Sequence, residues 1–209
     1  MKFNFKIFIL AAVVVIAVFS LFQINSENEA AKIKSQSGEK ETYEKGIQKI
    51  RLDKDELLEH DKDSPIEDKT KFKGLNYYAI DPEFKVEATL DLLVSNQKIR
   101  IQMTGGETVE FEAYANATFE LEGKKCALKI YKNEEGGLFL PFRDETNKSE
   151  TYGGGRYLDL NIDEVKDRKI LIDFNLCYLP YCAYNHKFTC PVPPAENTLA
   201  LAVRVGEKL

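Results

Sequence analysis

The 209-residue sequence holds two histidines, His60 and His186, and that scarcity closes off much hydrolytic chemistry. A Ser-His-Asp relay needs an imidazole between a nucleophile and an acid, but His60 falls in a helical pattern and His186 in a cysteine-rich loop. A basic stripe is missing too. The 29 Lys and Arg are spread among 34 Asp and Glu, for a net charge of -5 and a pI near 5.3, so no nucleic-acid partner is expected. Gly153, Gly154 and Gly155 lack both the spacing and the following Lys-Ser/Thr of a nucleotide-binding loop. No cysteine lies near the end of the amino-terminal apolar run, which leaves a lipid-modified terminus without an attachment residue.

What the chain does contain sorts into three parts. Lys2 and Lys6 precede an apolar run from Ile7 to Ile24 broken only by Ser20 and Gln23, long enough to cross a bilayer as a helix, which takes roughly 17 to 25 residues. Residues 1–24 read as an uncleaved signal anchor, because a good small-residue pair for cleavage is lacking; a cleaved signal peptide cut after Ser26 is the alternative. Lys2 and Lys6 before the span, against Glu27 and Glu29 after it, predict an amino terminus that stays inside. The membrane is thus the expected partner of residues 7–24, with the rest of the chain outside the cytoplasm, in a periplasm or cell envelope. Residues 25–42 are polar and predict a flexible linker. With 44% hydrophobic and 30% charged residues, residues 43–209 predict a single domain.

Within that domain, Ile47, Ile50, Leu57 and Leu58 predict an amphipathic helix from Tyr43 to His60, stopped at Ser64-Pro65. Strict alternation follows at Phe84, Val86, Ala88, Leu90, Leu92 and Val94, and recurs in short segments through Ile99–Met103, Val109–Ala113, Ala117–Leu121 and Cys126–Ile130. Turn formers at Ser95-Asn96, Gly105-Gly106, Asn116 and Gly123 separate them. Connections this short exclude parallel crossovers. Further strand patterns occur at Ile170–Phe174 and Leu199–Val205. The fold class is mainly β, an antiparallel meander forming a partly closed barrel or roll, with a sandwich as the alternative.

Three segments do not read as ordinary loops: Pro141 to Thr146, Thr151 to Tyr157, and Asp173 to Asn197. Their motifs are Pro-Phe-x-Asp-x-Thr ending at Thr146, Thr-Tyr-x-x-Gly-Arg-Tyr from Thr151, Asp-Phe-Asn from Asp173, Cys-Ala-Tyr from Cys182, and Cys-Pro-x-Pro-Pro-x-Glu-Asn from Cys190. In these motifs the chain resembles a bacterial domain-of-unknown-function family, number 1684, from Ser64-Pro65 to Gly206-Glu207-Lys208. The resemblance implies a shared pocket and no established activity, substrate or cofactor. Leu179 stands where relatives are expected to show Asn, and neither Cys177 nor His186 is expected in most of them.

The residues of these motifs suggest a polar site. Asp173 and Asn175 share one strand parity and would sit about 7 Å apart, lining a pocket together or serving as solvent-facing and turn residues. Arg156 follows three glycines that let the backbone approach other segments closely; its planar fork suits a carboxylate or phosphate, or an internal ion pair with Asp144 or Asp173. The expected ligand-binding set is Asp144, Arg156, Asp173, Asn175, Tyr184, Glu196 and Asn197, with a small anion as ligand. Cys182 and Cys190 are expected to form a disulfide in an oxidising compartment; zinc held by Cys182, His186 and Cys190 is the alternative to a site without cofactor. Cys126 reads as a buried free thiol in a strand. The leading function is small-ligand binding. The alternatives are an exported hydrolase using a pair among Asp144, Asp173 and Glu196, and a structural envelope protein.

Overall fold

A computed structural model of the chain describes residues 35–94, 97–133 and 135–209. The anchor expected over residues 1–24, the beginning of the linker and the Ser95-Asn96 turn lie outside the described residues. Among the described residues no helix is long and apolar enough to cross a membrane. The described residues divide into two units at Gly46, inside a helix.

That helix, α1, covers residues 35–60, so the part of the expected linker from residue 35 onward is helical. Pairs four residues apart, Glu41 with Lys45 at 2.7 Å and Lys40 with Glu44 at 3.9 Å, each add a few tenths of a kcal/mol to an exposed helix. A polar composition therefore withholds a packing face without preventing the helix. From Ile47 onward the inward stripe is Ile47, Arg51, Lys54 and Leu58, at intervals of four, three and four. Ile47 and Leu58 are buried, whereas Ile50 and Leu57, expected on the same face, are 50% and 57% exposed. The two basic residues take the inner places because aromatic partners await them. Arg51 lies 4.4 Å over the Tyr77 ring and donates to the Tyr78 carbonyl; Lys54 lies 4.5 Å over the Tyr178 ring.

The domain is mainly β. One antiparallel sheet of seven strands curls into a half-barrel, with β2 (Lys85–Leu92), β3 (Lys98–Gln102), β4 (Thr108–Leu121), β5 (Lys124–Lys132), β6 (Leu138–Phe142), β7 (Arg156–Leu160) and β8 (Lys169–Asp173). The order is β7-β6-β5-β4-β2-β8, with β3 also on β4. A small second sheet joins β1 (Asn76–Tyr77) to β9 (Glu207–Lys208).

The alternation in the sequence gives these strands, but two of its details resolve differently. β2 and β3 do not pair with each other; they follow one another along the same edge of β4, opposite Ala115–Thr118 and Thr108–Glu112 respectively. The two segments Val109–Ala113 and Ala117–Leu121 are one long strand, and Asn116, expected as a turn, is paired between Asp91 and Lys129. Asn116 has no glycine beside it to supply the second positive φ of a two-residue hairpin. Glu122 and Gly123 do supply that pair, at φ 50° and 71°, and the β4–β5 turn falls there.

A bulge at Tyr114 then shifts the register, since Ala113 faces Tyr131 while Ala115 faces Ile130. Adjacent residues of β5 point to opposite faces. Ala113 therefore packs with Ile101 and Tyr131 in one cluster, while Ala115, Ala117, Phe119 and Leu121 join the main core. One uninterrupted sequence parity thus feeds both faces of the sheet.

The main core is closed by the carboxy-terminal segment. Leu199, Leu201, Val203 and Val205 are all buried in it, as their alternation predicts, yet they belong to no strand of the sheet. Part of the segment runs beside residues 143–145: Arg143 N–H donates to the Asn197 carbonyl, Leu199 N–H to that of Arg143, and Glu145 N–H to that of Leu201.

Candidate functional site

The carbonyls beyond Leu201 need partners as well, since a buried one left bare is costly, and Arg156 provides them. Its Nη1 donates to the carbonyls of Val205 (2.7 Å) and Glu207 (3.3 Å), and its Nη2 to that of Val203 (2.6 Å) and to Asp144 Oδ2 (2.7 Å). The side chains of both Arg156 and Asp144 are 0% exposed. Gly155 makes this approach possible: it sits at φ 96°, and a Cβ there would lie 2.6 Å from the Phe142 carbonyl oxygen and 2.8 Å from Pro193 Cγ. Asp144 uses its other oxygen to accept from Thr146 N–H at 2.7 Å, and the hydroxyls of Thr146 and Thr151 meet at 2.9 Å. The two motifs around these residues are thereby locked together.

The other expected ligand-binding residues are also engaged with their own chain. β8 stops at Asp173, whose Oδ1 caps a single 3-10 turn over Phe174–Leu176 and accepts from both the backbone N–H (3.1 Å) and the side-chain amide (3.0 Å) of Asn175. The turn ends the strand parity, so the pair does not project together from a sheet face. Asn175 instead clamps the backbone of Asp81, bonding its N–H and its carbonyl at 2.8 Å each. Asn197 does the same to Lys129 at 2.8 Å on both groups, and reaches the Pro141 carbonyl at 2.7 Å. Glu196 pairs with Lys129 at 3.2 Å, half exposed. The Tyr184 hydroxyl is buried without a hydrogen-bond partner. Of the seven residues, Asp144 with Arg156 and Asp173 with Asn175 are brought into contact. Asp144, Asp173 and Glu196, the carboxylates of a hydrolytic pair, thus serve three separate ends.

Open space adjoins a different set. A cleft of about 250 Å³ is lined by Thr104, Gly105, Tyr152, Cys182, His186, Phe188 and Thr189. One wall is the β3–β4 turn, where Gly106 takes φ 96°. The other is the loop from Cys182 to Cys190, which follows a 3-10 turn over Tyr181–Ala183. The loop returns beside β3: Thr104 N–H donates to the Cys190 carbonyl (2.9 Å), Cys190 N–H to the Thr104 hydroxyl (3.0 Å), and Val192 N–H to the Gln102 carbonyl (2.7 Å). An aromatic shell of Phe139, Tyr157, Tyr178, Tyr181 and Phe188 packs about the two sulfurs.

Cys182 and Cys190 meet there as free thiols. Cys182 N–H donates to Cys190 Sγ at 3.3 Å, and Cys182 Sγ lies 3.7 Å from the Tyr152 hydroxyl. Hydrogen bonding with the Cys190 thiol, together with the hydroxyls of Tyr152 and Thr104, outweighs burial and draws the Cys182 thiol below its ordinary value. Cys190 moves the opposite way, because it holds its proton to serve that thiolate. Burial raises the Tyr152 hydroxyl to about 12, so it remains a donor. The remaining thiols differ: burial raises both, Cys177 to about 11. His186 is exposed on the rim of the cleft. Among the described residues no three His, Cys, Asp or Glu gather as a metal site. Sequence reasoning passed over Thr104 and Phe188; the Thr104-Gly105-Gly106 turn showed only as a hairpin signal, and nothing in the chain marks it as the neighbour of a loop some eighty residues on.

The chain is similar to known proteins in sequence and in fold. The model of a family described as "Protein of unknown function (DUF1684)" matches residues 70–208. The solution NMR structure of an uncharacterized protein of Haloarcula marismortui is similar, with 36% sequence identity and a TM-score of 0.65, over 82% of this chain and 96% of that one. No curated protein matches the chain. The motifs at Asp144, Thr151, Arg156 and Asn197 thus lie inside the matched segment, and the chain belongs to the DUF1684 family.

Proposed function

We propose that the chain is an exported domain, tethered to the membrane through residues 7–24, that takes a small polar ligand in the cleft between the β3–β4 turn and the Cys182–Cys190 loop. The observation that carries the binding reading is the cleft's lining: hydroxyls of Thr104, Tyr152 and Thr189, the Cys182 thiol and the His186 imidazole beside the Phe188 ring. Few placed polar groups against an aromatic wall are what ligand sites use, and about 250 Å³ lies just under the usual range of about 300–1,000 Å³. The ligand is therefore small. It is uncharged in this reading, because the guanidinium expected to meet an anion is enclosed and bonded to the chain itself.

Native mass spectrometry of the full chain released from detergent tests the reading. A small molecule retained by the wild type and lost from Gly105→Leu is expected, since a Cβ at Gly105 would meet Glu107 Oε2 at 2.5 Å and Thr189 Cγ2 at 3.1 Å, so that the flexible Glu107 side chain must move aside and the added bulk crowds this wall of the cleft. Identical bare masses for both proteins would count against it.

A further inference from the structure

We propose that Cys182 and Cys190 form a reversible thiol–disulfide exchange pair, with Cys182 attacking a small neutral disulfide held in the cleft and Cys190 resolving the mixed disulfide. This deepens the ligand-binding reading and rests on it for the entry of the substrate.

The geometry separates this pair from an inert structural brace. The loop between the cysteines is held without a bond between them: Thr104 grips Cys190 from both backbone groups, Tyr157 donates its hydroxyl to the Pro191 carbonyl, and Tyr181 packs edge-on against Phe188 at 5.4 Å. Closing or opening an S–S bond therefore leaves the loop anchored on both sides. Cys182 and Cys190 are only 2% and 7% exposed, yet Cys182 lines the cleft and Cys190 is not among its lining residues. A reagent in the cleft reaches Cys182 first. The Tyr152 hydroxyl stands 3.7 Å from that sulfur and, keeping its own proton, favours the thiolate, the form that attacks a disulfide. Cys177, by contrast, is packed against Gly206 and the Val205 carbonyl away from the cleft.

The exchange balances as follows. The Cys182 thiolate attacks one sulfur of R–S–S–R; the S–S bond breaks, Cys182–S–S–R forms, and RS⁻ departs. The Cys190 thiol gives its proton to that leaving thiolate, then attacks Cys182 Sγ and expels the second RS⁻, which takes a proton from water. The protein is oxidised by two electrons, and the disulfide is reduced to two thiols.

The test uses the reduced full chain in detergent with bis(2-hydroxyethyl) disulfide, small and uncharged, followed by alkylation and peptide mapping. Wild type should end with a Cys182–Cys190 disulfide, while Cys126 and Cys177 stay free. Cys190→Ser should stop at a mixed disulfide on Cys182, and Cys182→Ser should react at neither position. Tyr152→Phe, which keeps the ring, should slow the first step several-fold and move its pH midpoint upward. Gly105→Leu divides the two readings. Exchange that persists at the wild-type rate in that variant keeps the pair and removes the cleft as its entrance; a retained small molecule with both thiols inert keeps the cleft and overturns the pair. Trapping on Cys190 instead of Cys182 would overturn the assigned order.

Discussion

Both terminal nitrogens of Arg156 end on groups of its own chain: the carbonyls of Val203, Val205 and Glu207, and the carboxylate of Asp144. A planar fork with several fixed donors can serve so many acceptors where an ammonium cannot. It stands in for a neighbouring strand, giving the carboxy-terminal segment the hydrogen bonds that a sheet would have supplied. Arg156→Ala strands a buried carboxylate and bare carbonyls together, a loss of about 3–5 kcal/mol for a fully enclosed pair. At roughly 2–4 °C per kcal/mol for a domain of this size, the expected drop in Tm is about 6–20 °C. Arg156→Lys should recover only part of it. Thermal unfolding followed by circular dichroism checks both, and an unchanged Tm in the two variants would show that the segment is held by its apolar side chains alone.

At the scale of elements, α1 is fastened to the sheet by basic residues. Lys54 Nζ lies 2.7 Å from Glu207 Oε2, the Glu207 side chain is 0% exposed, and its Oε1 has no hydrogen-bond partner. Burial raises the Glu207 carboxyl above its ordinary 4.5, and Lys54 only partly opposes that shift. A carboxyl whose folded pKa is raised holds a proton that the unfolded chain has already released. Its contribution to stability is therefore full below 4.5 and is lost as pH rises through the folded value. Glu207→Gln keeps the shape and removes the titration. Urea midpoints measured from acid to neutral pH should fall in wild type relative to Glu207→Gln as pH increases, and parallel curves would mean that Lys54 fully compensates the charge.

For the whole molecule, orientation in the membrane is the property with the most direct readout. Lys2 and Lys6 before the apolar run, with Glu27 and Glu29 behind it, place the carboxy terminus outside the cytoplasm in the proposed topology. A reporter fused after Leu209 that is active only when exported should be active with the apolar run in place. Equal activity of a cytoplasmic reporter at the same position would reverse the proposal. An exterior setting also bears on the thiol pair, since an oxidising compartment holds Cys182 and Cys190 closer to their bonded form.

The local content of the fold was legible in the sequence because strand alternation and turn chemistry act over a few residues: Ala88 and Leu90, Ile170 and Ile172, and the turn at Gly123 fall as the pattern demands. Asp144, Arg156, Asp173, Asn175 and Asn197 stood out in the sequence as well, but the groups they bond did not. Polar residues in loops look alike whether they await a ligand or a carbonyl of their own chain; only the fold reveals that Val203 and Val205 lie against Arg156, or that Lys129 lies against Asn197. The same limit hid the bulge at Tyr114, where unbroken odd-number parity crosses from one sheet face to the other. It also hid the cleft, in which Thr104 of one turn and Tyr152 of another converge on Cys182. Periodicity is set by neighbours along the chain, whereas a site is set by neighbours through space, and tertiary packing alone decides those.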